Sequence, residues 1–341
     1  MRLPFKWILA AACTLQPLQA QPAARDRLLL AVGQTDKVLA IFKVDGNALS
    51  PVATLPIGAG AREVCVSADG RRAYVPNGAD NTITVVDLQE TPKVVATIAP
   101  PGVKKPDGCA TSPDSKKLYV AASESDALLV IAADTNRLLK QVEVGEEPRR
   151  VLFSPDGRRI YVSCEGTEAI TVLDASTDAV VDTLKVGGHG PRAMVFLPDK
   201  QTLMNTNTED DTISFTKVAT KDVFLTIGAG VAAQRIELAR DGQSAFVLSP
   251  GESKVSKIDL RGIPAMARTG SPAKQGEAEG HVRAKWFMPI GAQPWGMAMS
   301  DDGALLFVGS SKDNAVTAYG TASMAPVAKV PLTRPMGIAF R

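Results

Sequence analysis

Residues 148–187 read PRRVLFSPDGRRIYVSCEGTEAITVLDASTDAVVDTLKVG. Short apolar runs, among them Val151-Leu-Phe153 and Ile160-Tyr-Val162, are separated by SPDG, CEGTE and DASTD, and Gly187 ends the stretch. Gly, Asp, Asn and Ser are the residues that make tight turns, so the pattern predicts four short strands. A sheet of that size has two faces to bury, and forty residues supply no second layer. The fold is therefore decided by whether the unit recurs.

It does recur. The turn aspartate appears as Asp69 in SADG, Asp114 in SPDS, Asp156 in SPDG, Asp199 in LPDK, Asp241 in ARDG and Asp302 in SDDG. The intervals are 45, 42, 43, 42 and 61 residues. A period near 40 residues with four strands per repeat is the signature of a β-propeller, in which each blade buries its faces on its neighbours. Six turns give six blades. Two fragments are left over: residues 27–57, with three strands and no preceding turn, and Pro335–Arg341, PMGIAFR, which matches the innermost strand PRRVLFS. Joined, they make a seventh blade, and ring closure removes exposed sheet edges. The expectation is an all-β, seven-bladed β-propeller of four-stranded antiparallel blades, with the first blade closed by the C-terminal strand.

The repeat pattern, PxGxxxSPDGxxxYVTN followed by a VxVxD strand and a VG ending, resembles the YVTN family of seven-bladed propellers. The tetrapeptide stands here as Tyr74-Val-Pro-Asn77, Tyr119-Val-Ala-Ala122, Tyr161-Val-Ser-Cys164 and, degenerate, Met204-Asn-Thr-Asn207. The resemblance covers residues 27–341 and implies the fold; family members serve varied roles, so it does not imply one activity. The long sixth repeat and Pro294-Trp-Gly-Met-Ala-Met299 are similar to propellers associated with quinoprotein-dependent catabolism.

The first twenty residues, MRLPFKWILAAACTLQPLQA, have a basic start, an apolar centre and a polar end, the layout of a secretory signal peptide. Cleavage after Ala20 leaves residues 21–341 as one domain; lipidation at Cys13 is the alternative. Without Arg2 and Lys6, 36 basic residues face 36 acidic ones, which gives no support for nucleic acid as a partner. No later segment is apolar for long enough to cross a bilayer. The expected location is periplasmic or secreted. Residues 261–285, rich in Gly, Pro and Ala, read as a loop inserted between the third and fourth strands of blade six.

The residues that start the innermost strands ring the channel mouth. Seven before each turn aspartate stand Arg62, Asp107, Arg149, Arg192, Gln234 and Trp295, with Met336 in the closing blade. Arginine forks suit carboxylate or phosphate and tryptophan offers a stacking face, so this ring is a candidate site for a small anionic ligand or a protein partner. The competing expectation is that each arginine pairs with a neighbouring loop acid, Asp80, Asp126, Glu168, Asp210 or Asp313. Three further residues are secondary candidates. His189 lies in a loop at the same mouth. Glu237 interrupts an apolar innermost strand, and Arg235, two residues away on the same side, is its expected partner. Cys65 and Cys109 lie on opposite faces of adjacent inner strands, so a bridge between them is open, with buried free thiols as the alternative.

No nucleophile elbow, zinc motif, CxxC, phosphate loop or calcium loop occurs. Two histidines cannot build a rich metal site, and three tryptophans cannot supply a docking motif in every blade. The sequence names no cofactor. The reading is an exported, non-catalytic binding or accessory module. The alternatives are an enzyme or cofactor-handling protein near the quinoprotein or haem d1 propellers, or a propeller lactonase.

Overall fold

The computed structural model describes residues 27–261, 263 and 284–341. The expected signal peptide and nearly all of the expected insertion lie outside the described residues. Seven four-stranded sheets follow one another around a ring, every strand antiparallel to its neighbours. In the quoted stretch the strands are Pro148–Phe153, Arg159–Cys164, Ala169–Asp174 and Ala179–Lys185, from the channel outwards. In blade one, Pro335–Phe340 is innermost and pairs with Leu28–Gly33, matching Leu29 to Phe340 and Leu30 to Ala339. The tail closes the ring. In blade six the third strand is Lys254–Asp259 and the fourth begins at Ala284, so Ala284 and Lys285, assigned to the insertion from sequence, belong to the sheet.

The packing question has a direct answer. The described core falls into seven apolar clusters, one at each junction between neighbouring blades. Side chains on a strand alternate between faces, so the second strand of blade four divides its residues. Ile160 and Val162 enter the cluster shared with blade three, and Tyr161 enters the one shared with blade five. Tyr119 and Tyr161, at one repeat position, meet Phe153 and Phe196 of the following blade edge-on, with ring centroids 5.4 and 5.2 Å apart. Outermost strands have one wet face, which leaves Leu139 and Val181 at 58% and 50% exposure.

The turn residues act as local acceptors. Asp156 accepts the Ser154 hydroxyl and the Arg158 backbone N–H, and Asp69, Asp114 and Asp302 repeat the arrangement. The strand-end Asp87, Asp174 and Asp259 likewise accept backbone N–H groups one turn on. Cys65 and Cys109 form a disulfide that ties the innermost strands of blades two and three, with Cα atoms 5.9 Å apart. Cys164 is a buried free thiol whose pKa burial pushes up.

Candidate ligand-binding channel mouth

Seven strands converging on one axis leave little room at the centre. One layer below the mouth, blades three, seven and one carry Gly108, Gly296 and Gly337. A Cβ on Gly108 would collide with the Arg149 carbonyl oxygen, one on Gly296 with the Met336 carbonyl oxygen, and one on Gly337 would lie 2.6 Å from the Glu63 Cα. Blades two, four and six use the space so released for Glu63, Arg150 and Arg235. Glu63 Oε2 takes both Arg150 Nη1 and Arg235 Nη1, the latter at 2.6 Å. All three side chains are under one-fifth exposed, so this ion triad crosses the channel beneath the mouth. The sequence reading did not single out Glu63 or Arg150. The signal available was a charged residue where other blades place glycine or alanine.

Above the triad, Arg149 is fully occupied. It pairs with Glu165, with Glu147 and with Asp107, the last at 3.5 Å. Burial works to lower its pKa, and Glu165, Asp107 and Glu147 outweigh that and raise it. Arg192 is held more loosely, 3.8 Å from Glu165 and 3.4 Å from the Gln234 side-chain oxygen. Burial lowers its pKa, and Arg149 and Arg235 add to that against Glu165 and Asp107. Gln234 is 4% exposed, and its Nε2 has no hydrogen-bond partner among the described residues. Arg62 is exposed and has no ion pair among the described residues. It lines a rim cavity of 380 Å³ between blades two and three, with Lys104, Asp107 and Gln34.

Two expectations need correction here. Met336 is 2% exposed and packs into the core cluster at the junction of blades one and two, so its apolar side chain is taken up by packing and not by the mouth ring. Trp295 is half-buried against the same cluster, and its backbone carbonyl accepts Arg235 Nε at 3.1 Å. The loop acids do not pair with the mouth arginines. Asp80, Asp126, Asp210 and Asp313 instead accept the backbone N–H of Ala59, Glu147, His189 and Ala292, linker residues between blades that lie 21 positions before the acid in three cases and 21 after it for Asp126. An acceptor at that place satisfies amides that no sheet can reach. Glu168 lies 3.7 Å from His189 Nε2.

Glu237 and Arg235 are not partners, since Arg235 turns to Glu63 instead. Burial pushes the Glu237 carboxyl up to about 7, against the lowering effect of Arg235 and Arg240. His189 is exposed; Asp210, 2.9 Å from Nδ1, raises its pKa, with Glu168 adding to the effect. Among the described residues no group of three His, Cys, Asp or Glu side chains is placed to hold a metal ion.

This geometry belongs to a known architecture. Over residues 19–179 the chain is similar to the lactonase family of seven-bladed β-propellers. Solved structures share the fold across nearly the whole chain. A protein of unknown function from Desulfotomaculum acetoxidans is 16% identical, covering 92% of this chain and 98% of its own, with a TM-score of 0.74. A Bacteroides fragilis protein provisionally assigned as a 6-phosphogluconolactonase is 16% identical, with coverage of 94% and 99% and a TM-score of 0.77. Hydrazine synthase of Kuenenia stuttgartiensis is 22% identical, with coverage of 82% and 89% and a TM-score of 0.66. At these identities the likeness establishes the propeller alone. No curated protein matches the chain.

Proposed function

We propose that the chain is an exported binding module that holds an anionic ligand at the channel mouth. One observation carries this reading: Arg192 and Gln234, side by side and mostly buried, retain donor capacity that no group among the described residues takes up. A buried unpaired donor costs about 1–3 kcal/mol, which a ligand oxygen would recover on binding. Arg62 at the exposed rim adds a second cation. Arg149, engaged by three carboxylates, positions Asp107 and Glu165 instead of meeting the ligand. The Cys65–Cys109 bridge fits an oxidising compartment such as the periplasm. The YVTN-type repeats and the PWGMAM strand support an accessory role beside a quinoprotein system. Calorimetric titration with sulfate, tartrate and phosphate tests the reading. Micromolar to millimolar binding that Arg192→Ala abolishes is expected, and no binding to any of them refutes it.

A second reading, hydrolysis of a lactone, is favoured by the family match together with the His189–Asp210 contact at the same mouth. Asp210 would hold one imidazole nitrogen so that the other takes a proton from water. That water attacks the lactone carbonyl, the ring C–O bond breaks, and the proton passes to the released alkoxide to give a hydroxy acid. Arg192 would face the new carboxylate. Proton release on incubation with five- and six-membered lactones, lost in His189→Ala, separates this reading from simple binding. A visible absorption band in the purified chain would instead point to the haem or quinone alternative.

A further inference from the structure

Arg235 and Glu237 stand two residues apart on the innermost strand of blade six, on one side of it, yet do not pair. Arg235 gives Nη1 to Glu63 of blade two and Nε to the Trp295 carbonyl of blade seven. Glu237 is half-buried and has no hydrogen bond or ion pair among the described residues. At its layer the other blades carry Ala110, Leu152, Val195, Ala298 and Ala339, and Cys65 in its disulfide. The charged groups near it are Arg235 on its own strand and Arg240 in the following turn. Of the innermost strands on either side, Pro191–Phe196 brings only Arg192 and Pro294–Met299 brings no ionisable group; the paired strand Ser244–Ser249 brings none either.

The channel holds four buried guanidinium groups, Arg149, Arg150, Arg192 and Arg235, and Glu63, Asp107, Glu165 and Glu147 pair with them. These charges balance, and Glu237 is the only further carboxyl on the described innermost strands. We propose that Glu237 is a built-in competitor of the ligand: its carboxylate and the ligand's anionic group repel each other inside the channel, so anion binding at Arg192 and Gln234 takes up a proton at Glu237. This rests on the anion-binding reading of the mouth. The carboxyl's position near neutrality means that both protonation states are populated in ordinary conditions. Three strand residues separate Gln234 from Glu237, about 10 Å. At that spacing an unscreened like charge weakens binding on the order of tenfold at the effective dielectric of a protein.

The test uses sulfate and tartrate, whose own charges do not change between pH 5.5 and 8.5. Calorimetry in two buffers of different protonation enthalpy reads affinity and proton uptake together. Wild type is expected to lose about tenfold more affinity across this range than Glu237→Ala, and to take up a fraction of a proton that the variant does not. His189, whose pKa Asp210 raises, is present in both proteins and contributes equally to each. Alanine occupies this layer in blades three, seven and one, so the variant keeps the fold; Glu237→Gln, of equal volume, must agree with it. Equal pH slopes in wild type and both variants, or no slope in wild type, overturn the role of Glu237 and leave the mouth reading standing. Absence of binding by every protein overturns the mouth reading and this inference with it.

Discussion

The Arg235 guanidinium meets Glu63 at 2.6 Å across the channel and leaves Glu237, its neighbour on the strand, without a hydrogen bond or ion pair among the described residues. Glu63 therefore pairs with two arginines from two other blades, and its carboxylate is the acceptor that both share.

Replacing that anion tests the crossing. Glu63→Ala leaves Arg150 and Arg235 facing each other in a largely buried place, and removing one partner of a buried pair costs about 3–5 kcal/mol. Urea unfolding of the variant should show a loss of this size. A loss below about 1 kcal/mol would mean that water, not Glu63, satisfies the two arginines.

The two mouth arginines should behave differently. Arg149→Ala strands Asp107 and Glu165, both under 15% exposed, so it should destabilise the fold by several kcal/mol, about as much as breaking a buried pair. Arg192→Ala loses only long contacts and should shift stability by about 1 kcal/mol or less while abolishing anion binding. Thermal unfolding of both variants beside a binding titration checks this, and equal melting temperatures would contradict it.

Glu237 also leaves a mark on stability. Its folded pKa of about 7 lies above that of an unfolded glutamate, so the native state holds a proton that the unfolded chain has already lost. Stability linked to this group is complete below about pH 4.3 and declines as pH rises through 7, by at most about 4 kcal/mol. Above that the loss is constant. Denaturant unfolding at pH 5 and pH 8.5 should show a larger drop for wild type than for Glu237→Gln; parallel curves would place the carboxyl pKa in the ordinary range.

The disulfide closes a loop with a sequence separation of 44 residues. The chain-entropy relation gives about 4 kcal/mol for a loop of this length. The double variant Cys65→Ala, Cys109→Ala should lose stability up to that value. In denatured, unreduced protein lacking the first twenty residues, thiol titration should find one reactive group, Cys164. Three groups would show that no bridge exists.

Fold and site were legible in the sequence to different depths. The turn aspartates and the orphan strand PMGIAFR define the ring and its closure because repetition multiplies a weak local signal. The clusters at the blade junctions follow from alternation along strands such as Arg159–Cys164. Side-chain pairing is another matter. Arg235 and Glu237 share a strand face, which argues for a pair, and the competing acid lies in blade two, 172 residues away. Nothing local to either position records how closely seven strands converge at the axis. The same limit hid Met336: its repeat position places it at the mouth, while its burial depends on how the closing blade seats against the next. The loop acids were recognised as a recurring set, but their backbone partners lie in linkers whose conformation has no sequence period.

Closure by Pro335–Phe340 sets an order of events during synthesis. Leu28–Gly33, apolar throughout and buried along its whole length in the finished ring, emerges early and has its outer partner Val38–Asp45 within a few residues. Its inner partner is made just over three hundred residues later, on the order of tens of seconds at ordinary elongation rates. For that interval blade one is a three-stranded sheet whose most apolar strand forms its free border, the kind of border that recruits foreign strands. A holding chaperone, or delivery across the membrane before any blade forms, would have to cover that strand until the last one is made.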